Sequence, residues 1–179
     1  AIHTLGENIQ LSRFAFAEQP EGAVASYIHG GGKIGVMVRA ESPAGATPEV
    51  LAAAKDCALQ VAAMNPPYLK REDVPAAVLD EEKKIILAQM AEDPKMANKP
   101  EQVKEKIAAG KVGKYYGENC LLEQAFVKEN KETVQSYVDG VAKAAGTTIA
   151  ITDFVRFERG EGIEKKADNF AEEIASMIK

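Results

Sequence analysis

The amino-acid sequence predicts an α+β fold: an antiparallel sheet packed with helices and interrupted by an antiparallel helical-hairpin (coiled-coil) arm. Three observations carry that reading. Strand patterns gather within residues 9–40 and return only near 147–158, so strands and helices do not alternate as a doubly wound sheet requires. Residues 48–64 and 133–144 carry apolar side chains at spacings of three and four, the signature of helices with one buried face. Between them, residues 69–121 are charged at nearly every third position and poor in apolar side chains.

Taken in order, Ile9 to Ala17 alternates well enough to predict a strand, with Ile9, Leu11 and Arg13 set against Gln10 and Ser12. Pro20-Glu21-Gly22 is a turn. Ala23 to His29 and Lys33 to Ala40 are apolar, β-branched-rich runs joined by Gly30-Gly31-Gly32, the pattern of a β-hairpin. After a loop from Glu41 to Thr47, Pro48 suits the first turn of a helix with Thr47 as its N-cap. Val50, Ala54, Cys57, Val61 and Met64 form the predicted buried face of that helix. Asn65-Pro66-Pro67 ends it, because prolines cannot continue the hydrogen-bond ladder.

Within 69–121, helices are predicted over about 71–92 and 100–116, reversing through Asp93 to Pro100. A seam of Val74, Val78, Ile85 and Ala88 is expected to face Val103, Ile107 and Val112. The competing arrangement is two surface helices lying flat on the core. A seam this thin also invites a second copy, which makes a homodimer through the arm 69–121 an expectation. The helix from Thr133 to Ala144 should bury Val134, Val138, Val141 and Ala145, and Thr147 to Glu158 should return to the sheet as its last strand. From Ile163 the period becomes helical again, with Ile163, Ala167, Phe170, Ile174 and Met177 on one stripe of a helix over 163–179.

Composition narrows the function. The 179 residues are 46% hydrophobic and 27% charged, ordinary for a soluble globular chain, and the net charge of −5 argues against a general nucleic-acid binder. Cys57 and Cys120 lack CxxC spacing, and His3 and His29 are the only histidines. A disulfide framework or zinc site is not expected, and a reducing cytoplasm is. No run approaches 18 apolar residues and the first residues do not resemble a signal peptide, so no membrane association is expected.

Candidate chemistry is sparse. Gly30-Gly31-Gly32-Lys33 is not a phosphate loop, because Ile34 stands where Ser or Thr is needed and a strand follows in place of a helix. His29, with Tyr27 two residues back on the same strand face, has no nucleophile or carboxylate at catalytic spacing. Carboxylate runs such as Asp80-Glu81-Glu82 belong to exposed helix faces. Cys57 reads as a buried, inert thiol. No catalytic residue, cofactor or metal site is assigned, and no enzyme is expected.

Four stretches, in order along the chain, carry a family resemblance: Gly6-Glu7-Asn8-Ile9, then Ser26-Tyr27-Ile28-His29-Gly30 with Ile34-Gly35-Val36-Met37-Val38, then Met64-Asn65-Pro66-Pro67-Tyr68-Leu69, and last Val155 to Lys165. The set resembles the bacterial translation elongation factor Ts family and spans nearly the whole chain. The resemblance implies a guanine-nucleotide exchange factor that binds the GTPase elongation factor Tu and promotes GDP release without covalent chemistry. It places His29 and Gly30 on the surface facing that partner, implicates Leu5 and Gly6 just before the first strand, and makes Ile163 the start of a C-terminal module that touches the partner.

In the scheme this implies, residues 1–22 are the remnant of a first core subdomain, and 23–68 with 122–162 form the second. Residues 69–121 are the arm and 163–179 the C-terminal module. The family's exchange motif is a Thr-Asp-Phe-Val tetrapeptide that lies ahead of the Gly-Glu-Asn-Ile stretch. Here Thr152-Asp153-Phe154-Val155 falls in the last strand, where it reads as structural, with Phe154 and Val155 on opposite sheet faces. An N-terminal module with a Met-Met-Asp-Cys-Lys-Lys-like motif is not among these residues, so the expectation is a truncated chain that binds but exchanges weakly. The alternative is a structural self-association module acting through the helical arm. With its first subdomain missing, the strand at 9–17 would be an edge able to recruit a second copy.

Overall fold

The computed structural model describes residues 2–6, 12–97 and 99–162. A short helical turn, α1 (Ile2–Leu5), precedes an antiparallel sheet of β1 (Gly22–His29), β2 (Ile34–Glu41) and β3 (Ala150–Glu158) in the order β1-β2-β3. Between β2 and β3 come α2 (Pro48–Met64), α3 (Ala76–Glu92), the short α4 (Pro94–Ala97), α5 (Glu101–Asn119) and α6 (Val134–Ala144). The α+β class and the antiparallel sheet expected from the sequence are both present.

Alternation dictates the sheet's two faces. Ala25 pairs with Val38 and Tyr27 with Val36, and Val36, Val38 and Ala40 are buried toward the helices. On β3 the register shifts at Arg39/Ala40: Arg39 faces Asp153 while Ala40 faces Ile151, so Thr152 is the extra residue of a bulge. The bulge lets Ile151 and Phe154, three residues apart, both point into the core. Asp153, Val155 and Phe157 fall on the opposite face.

Helix α2 lies on β1 and β2 because its inner face is almost all small. Ala53, Ala54, Cys57 and Ala58 are fully buried and allow a close approach to the sheet, and Val50 and Val61 fill the ends. Thr47 caps the helix by accepting from the Val50 amide at 3.4 Å, as expected. At the other end Asn65 takes a left-handed conformation (φ 47°), its N–H donating to the Val61 carbonyl at 3.0 Å. The buried stripe stops at Ala62, and Met64 in the last helical position is 50% exposed. Helix α6 closes the core with Val134, Val138 and Ala142; Ala145 is its exposed cap residue and not part of the buried face.

The arm is an antiparallel hairpin of α3 and α5 with its own small core of Ile86, Met90, Ala108 and Val112, edged by Leu79, Met96, Ile107 and Tyr116. At 1.5 Å per residue, α3 alone runs about 25 Å. The predicted seam is corrected: Ile85 is 43% exposed, Ala88 is exposed, and Val103 is 38% exposed. The sequence offers Ile85-Ile86-Leu87 as consecutive apolar residues, and Leu79 and Met90 select Ile86 because they share its helical phase. Val74 is buried but precedes α3, since the helix begins only after Pro75.

Residues 12–17 form no strand, which corrects the predicted Ile9–Ala17 element; its first three positions, 9–11, lie outside the described residues. The segment contacts the open face of the sheet, with the Arg13 guanidinium 5.0 Å from the Phe157 ring centre, so it does not extend a sheet edge. The C-terminal helix predicted over 163–179 also lies outside the described residues.

Truncating Leu121, which is fully buried where the chain returns from the arm, is expected to cost about 2–5 kcal/mol. Leu87→Ala on the exposed arm surface should stay within about 0.5 kcal/mol. Urea unfolding of the two variants measures the contrast, and equal losses would contradict this core assignment.

Candidate protein-docking surface

The β1–β2 turn is built from three successive glycines. Gly30, Gly31 and Gly32 have φ of 59°, 63° and 88°, a left-handed path that β-branched or bulky residues would enter only under strain. The Lys33 amide donates to the His29 carbonyl at 3.0 Å and closes the loop. His29 therefore stands at the last paired position of β1, opposite Ile34, exposed at one end of the sheet.

Its ring is not free to wander. His29 Nδ1 lies 3.1 Å from the Tyr27 hydroxyl, with the two ring centres 5.9 Å apart. Tyr27 is itself packed against the main core, so the core orients the histidine through one side chain. On the opposite face of the same strand, Ile28 is 66% exposed. Beside this turn the end of β3 closes a second one. The Arg159 amide donates to the Lys33 carbonyl at 2.7 Å, and Glu161 donates its amide to the Glu158 carbonyl at 3.1 Å. Arg13 bonds the Glu161 carboxylate at 2.9 Å and holds that acid below its ordinary range, with help from the Glu158 amide. Two tight turns thus form one exposed end of the sheet, glycine-rich and studded with charge.

Of the residues expected to meet a partner, His29 and Gly30 sit together on this end. Gly6 is exposed with φ 71°, just after α1. Ile163 lies outside the described residues, one position beyond Gly162 in the second turn. Sequence reasoning missed Tyr27 as the residue that orients His29, and it missed the Arg13–Glu161 pair. The first was legible in the i, i+2 spacing of one strand face; the second joins residues 148 apart.

Thr152 to Val155 is occupied by the fold. Asp153 accepts from Arg39 at 2.7 Å, Thr152 is the bulge residue, and Phe154 packs into the main core. Val155 faces the other way, into a shallow apolar depression of about 390 Å³ shared with Phe14, Ile28, Met37 and Phe157. The tetrapeptide is a strand, as expected, with Phe154 and Val155 on opposite faces.

Both cysteines are free and buried. Burial, then the Asp56 charge, pushes the Cys57 thiol up to about 12, and burial, then Glu123, pushes Cys120 to about 11. No group of three or more potential metal ligands occurs among the described residues, and no helix among them is long and apolar enough to cross a membrane.

The same body thus carries an exposed glycine-built turn at one end of its sheet and a long helical arm inserted between β2 and β3. The family model described as elongation factor TS matches residues 1–161. The chain belongs to the elongation factor Ts family. It is 46% identical over 178 residues to elongation factor Ts of Syntrophotalea carbinolica, covering 99% of this chain and 57% of that protein. It is 46% identical to elongation factor Ts of Clostridium kluyveri, covering 99% of this chain and 56% of that one. The Clostridium botulinum protein of the same name (strain Alaska E43) is 45% identical over 181 residues. The chain therefore spans a little over half the length of these curated relatives.

The thiols make a testable pH dependence. Below the ordinary thiol value of 9.0 both folded and unfolded chains keep the proton on Cys57. As pH rises from 9.0 toward about 12 the unfolded thiol ionises while the folded one stays neutral, so stability falls with rising pH. Cys120 and the half-buried, Asp56-bonded Tyr137 act in the same sense. Urea midpoints should drop steeply above pH 9.0, and less steeply in a Cys57→Ala, Cys120→Ala variant; an unchanged slope would show that the thiols do not carry it.

Proposed function

We propose that this chain docks on the GTPase elongation factor Tu through the His29–Lys33 turn, and that the protein serves as a guanine-nucleotide exchange factor in cytoplasmic translation. The observation that carries the reading is His29: exposed at the end of β1, yet oriented by a hydrogen bond with a core-packed tyrosine. A side chain held ready before contact loses little freedom on binding, which is the economy of a docking anchor. Membership of the elongation factor Ts family supports elongation factor Tu as the partner.

Exchange by such a protein needs no bond to form or break. A factor that binds the nucleotide-free GTPase more tightly than its GDP form must, by linkage, weaken GDP in the complex by the same factor. Each difference of about 1.4 kcal/mol is a tenfold weakening. Asp153 to Val155 are paired into the sheet, Thr152 is its bulge residue and Asp153 is tied to Arg39, which supports a docking role for these 179 residues and only weak exchange by them alone. In stopped flow, release of a fluorescent GDP analogue from elongation factor Tu should be accelerated little by this chain, while the complex still forms. His29→Ala should weaken that complex about tenfold or more, and Tyr27→Phe, which frees the ring, by less. An affinity unchanged by His29→Ala would overturn the assignment of this turn.

A second reading is self-association through the arm 69–121, favoured by the exposed Ile85, Leu87 and Val103 on its surface. Sedimentation at rising concentration should then show a dimer that Ile85→Glu, Leu87→Glu abolishes; a strict monomer would remove this reading.

A further inference from the structure

Among the contacts that join the arm to the body, two side-chain ties differ in character. The first is buried: Gln124, 1% exposed, donates from its side-chain amide to the Glu118 carbonyl at the foot of α5 at 2.8 Å. Its Oε1 accepts from Gln60 at 3.0 Å, and Gln60 is fully buried on α2. The foot of α5 is thereby pinned to the body through solvent-shielded amides. The second tie is on the surface. Arg71, between the body and α3, forks onto Glu123 with Nε–Oε1 at 2.6 Å and Nη2–Oε2 at 2.5 Å. The same guanidinium lies 5.0 Å from the ring centre of Tyr116 on α5. Its side chain is 56% exposed. Backbone bonds from Leu121 to Tyr68 and from Leu122 to Leu69 hold the outgoing and returning chains side by side. The apolar cores of arm and body share no residue.

From this asymmetry the geometry points to a hinge: the arm pivots about the buried Gln124–Glu118 pin, and Arg71 is the positioning residue that sets its angle by bridging Glu123 of the body side to Tyr116 of the arm. An exposed ion pair is screened by salt, whereas the buried amide pin is not. The arm is therefore held in one direction at low ionic strength and released when the fork opens, with both cores intact. This does not depend on which partner the protein meets.

The test places spin labels on Glu49→Cys in α2 and Glu92→Cys at the far end of α3, both exposed sites, while the native thiols are buried. Double electron–electron resonance on the full chain at low salt should give one narrow distance peak. Arg71→Met, which removes the fork, should broaden or split that peak at low salt, and high salt should do the same to the unsubstituted chain. Glu123→Gln, which keeps the side-chain shape, should give an intermediate width and serves if Arg71→Met does not fold. Peaks as narrow in both variants as in the parent, at either salt, would overturn the assignment and leave the arm a rigid extension.

Discussion

Gln60 is a polar residue in the middle of an apolar helix face, and its side chain is fully satisfied there. It donates to Gln124 and to the Ala125 carbonyl at 3.0 and 3.1 Å, and accepts from the Val127 amide at 2.9 Å. A buried amide left without partners costs about 1–3 kcal/mol for each orphaned group, so α2 can seat on the sheet only when residues 124–127 arrive in register. Those residues follow directly from the foot of the arm. One buried network thus fixes the helix against the sheet, the return of the chain from the arm, and the start of the segment that leads to α6.

The sheet that results holds the proposed docking end in a fixed frame. Tyr27 and Ile34 are packed against the core from inside while His29 and the glycine turn project from the same strands. Precision at the tip comes from burial two pairs back, at Tyr27 and Val36. A loop of equal composition on a mobile tether would have to be ordered at each encounter, at the expense of affinity.

Much of this was legible in the sequence. The hairpin, the Thr47 cap, α2, α6 and the returning strand follow from periodicity and from residues whose backbone preferences are strong, such as Pro48, Gly30 to Gly32 and Asn65. The arm was legible as a change in charge density, but its phase was not: three apolar residues in a row at 85–87 satisfy several seams equally. The predicted first strand failed because alternation in sequence says nothing about whether a neighbouring strand is there to pair with, and residues 12–17 contact the face of the sheet instead. Of the surface, the place of His29 at the end of β1 was legible and its tyrosine support nearly so. The ion pairs Arg13–Glu161, Arg39–Asp153 and Arg71–Glu123 join residues far apart in the chain, and pairing of that kind leaves no local signal.

The insertion of the arm between β2 and β3 also bears on how the chain finds its fold. The pairing of Glu41 with Ala150 closes a very long loop, the kind of contact that slows folding. The arm shortens that search. Its helices meet through neighbours in sequence, and once paired they bring Tyr68 beside Cys120. Closure entropy grows with the logarithm of the flexible length, so removing the arm from the loop reduces the remaining search for β3. An appendage outside the main core thereby acts as a clasp that draws the two halves of the body together during assembly.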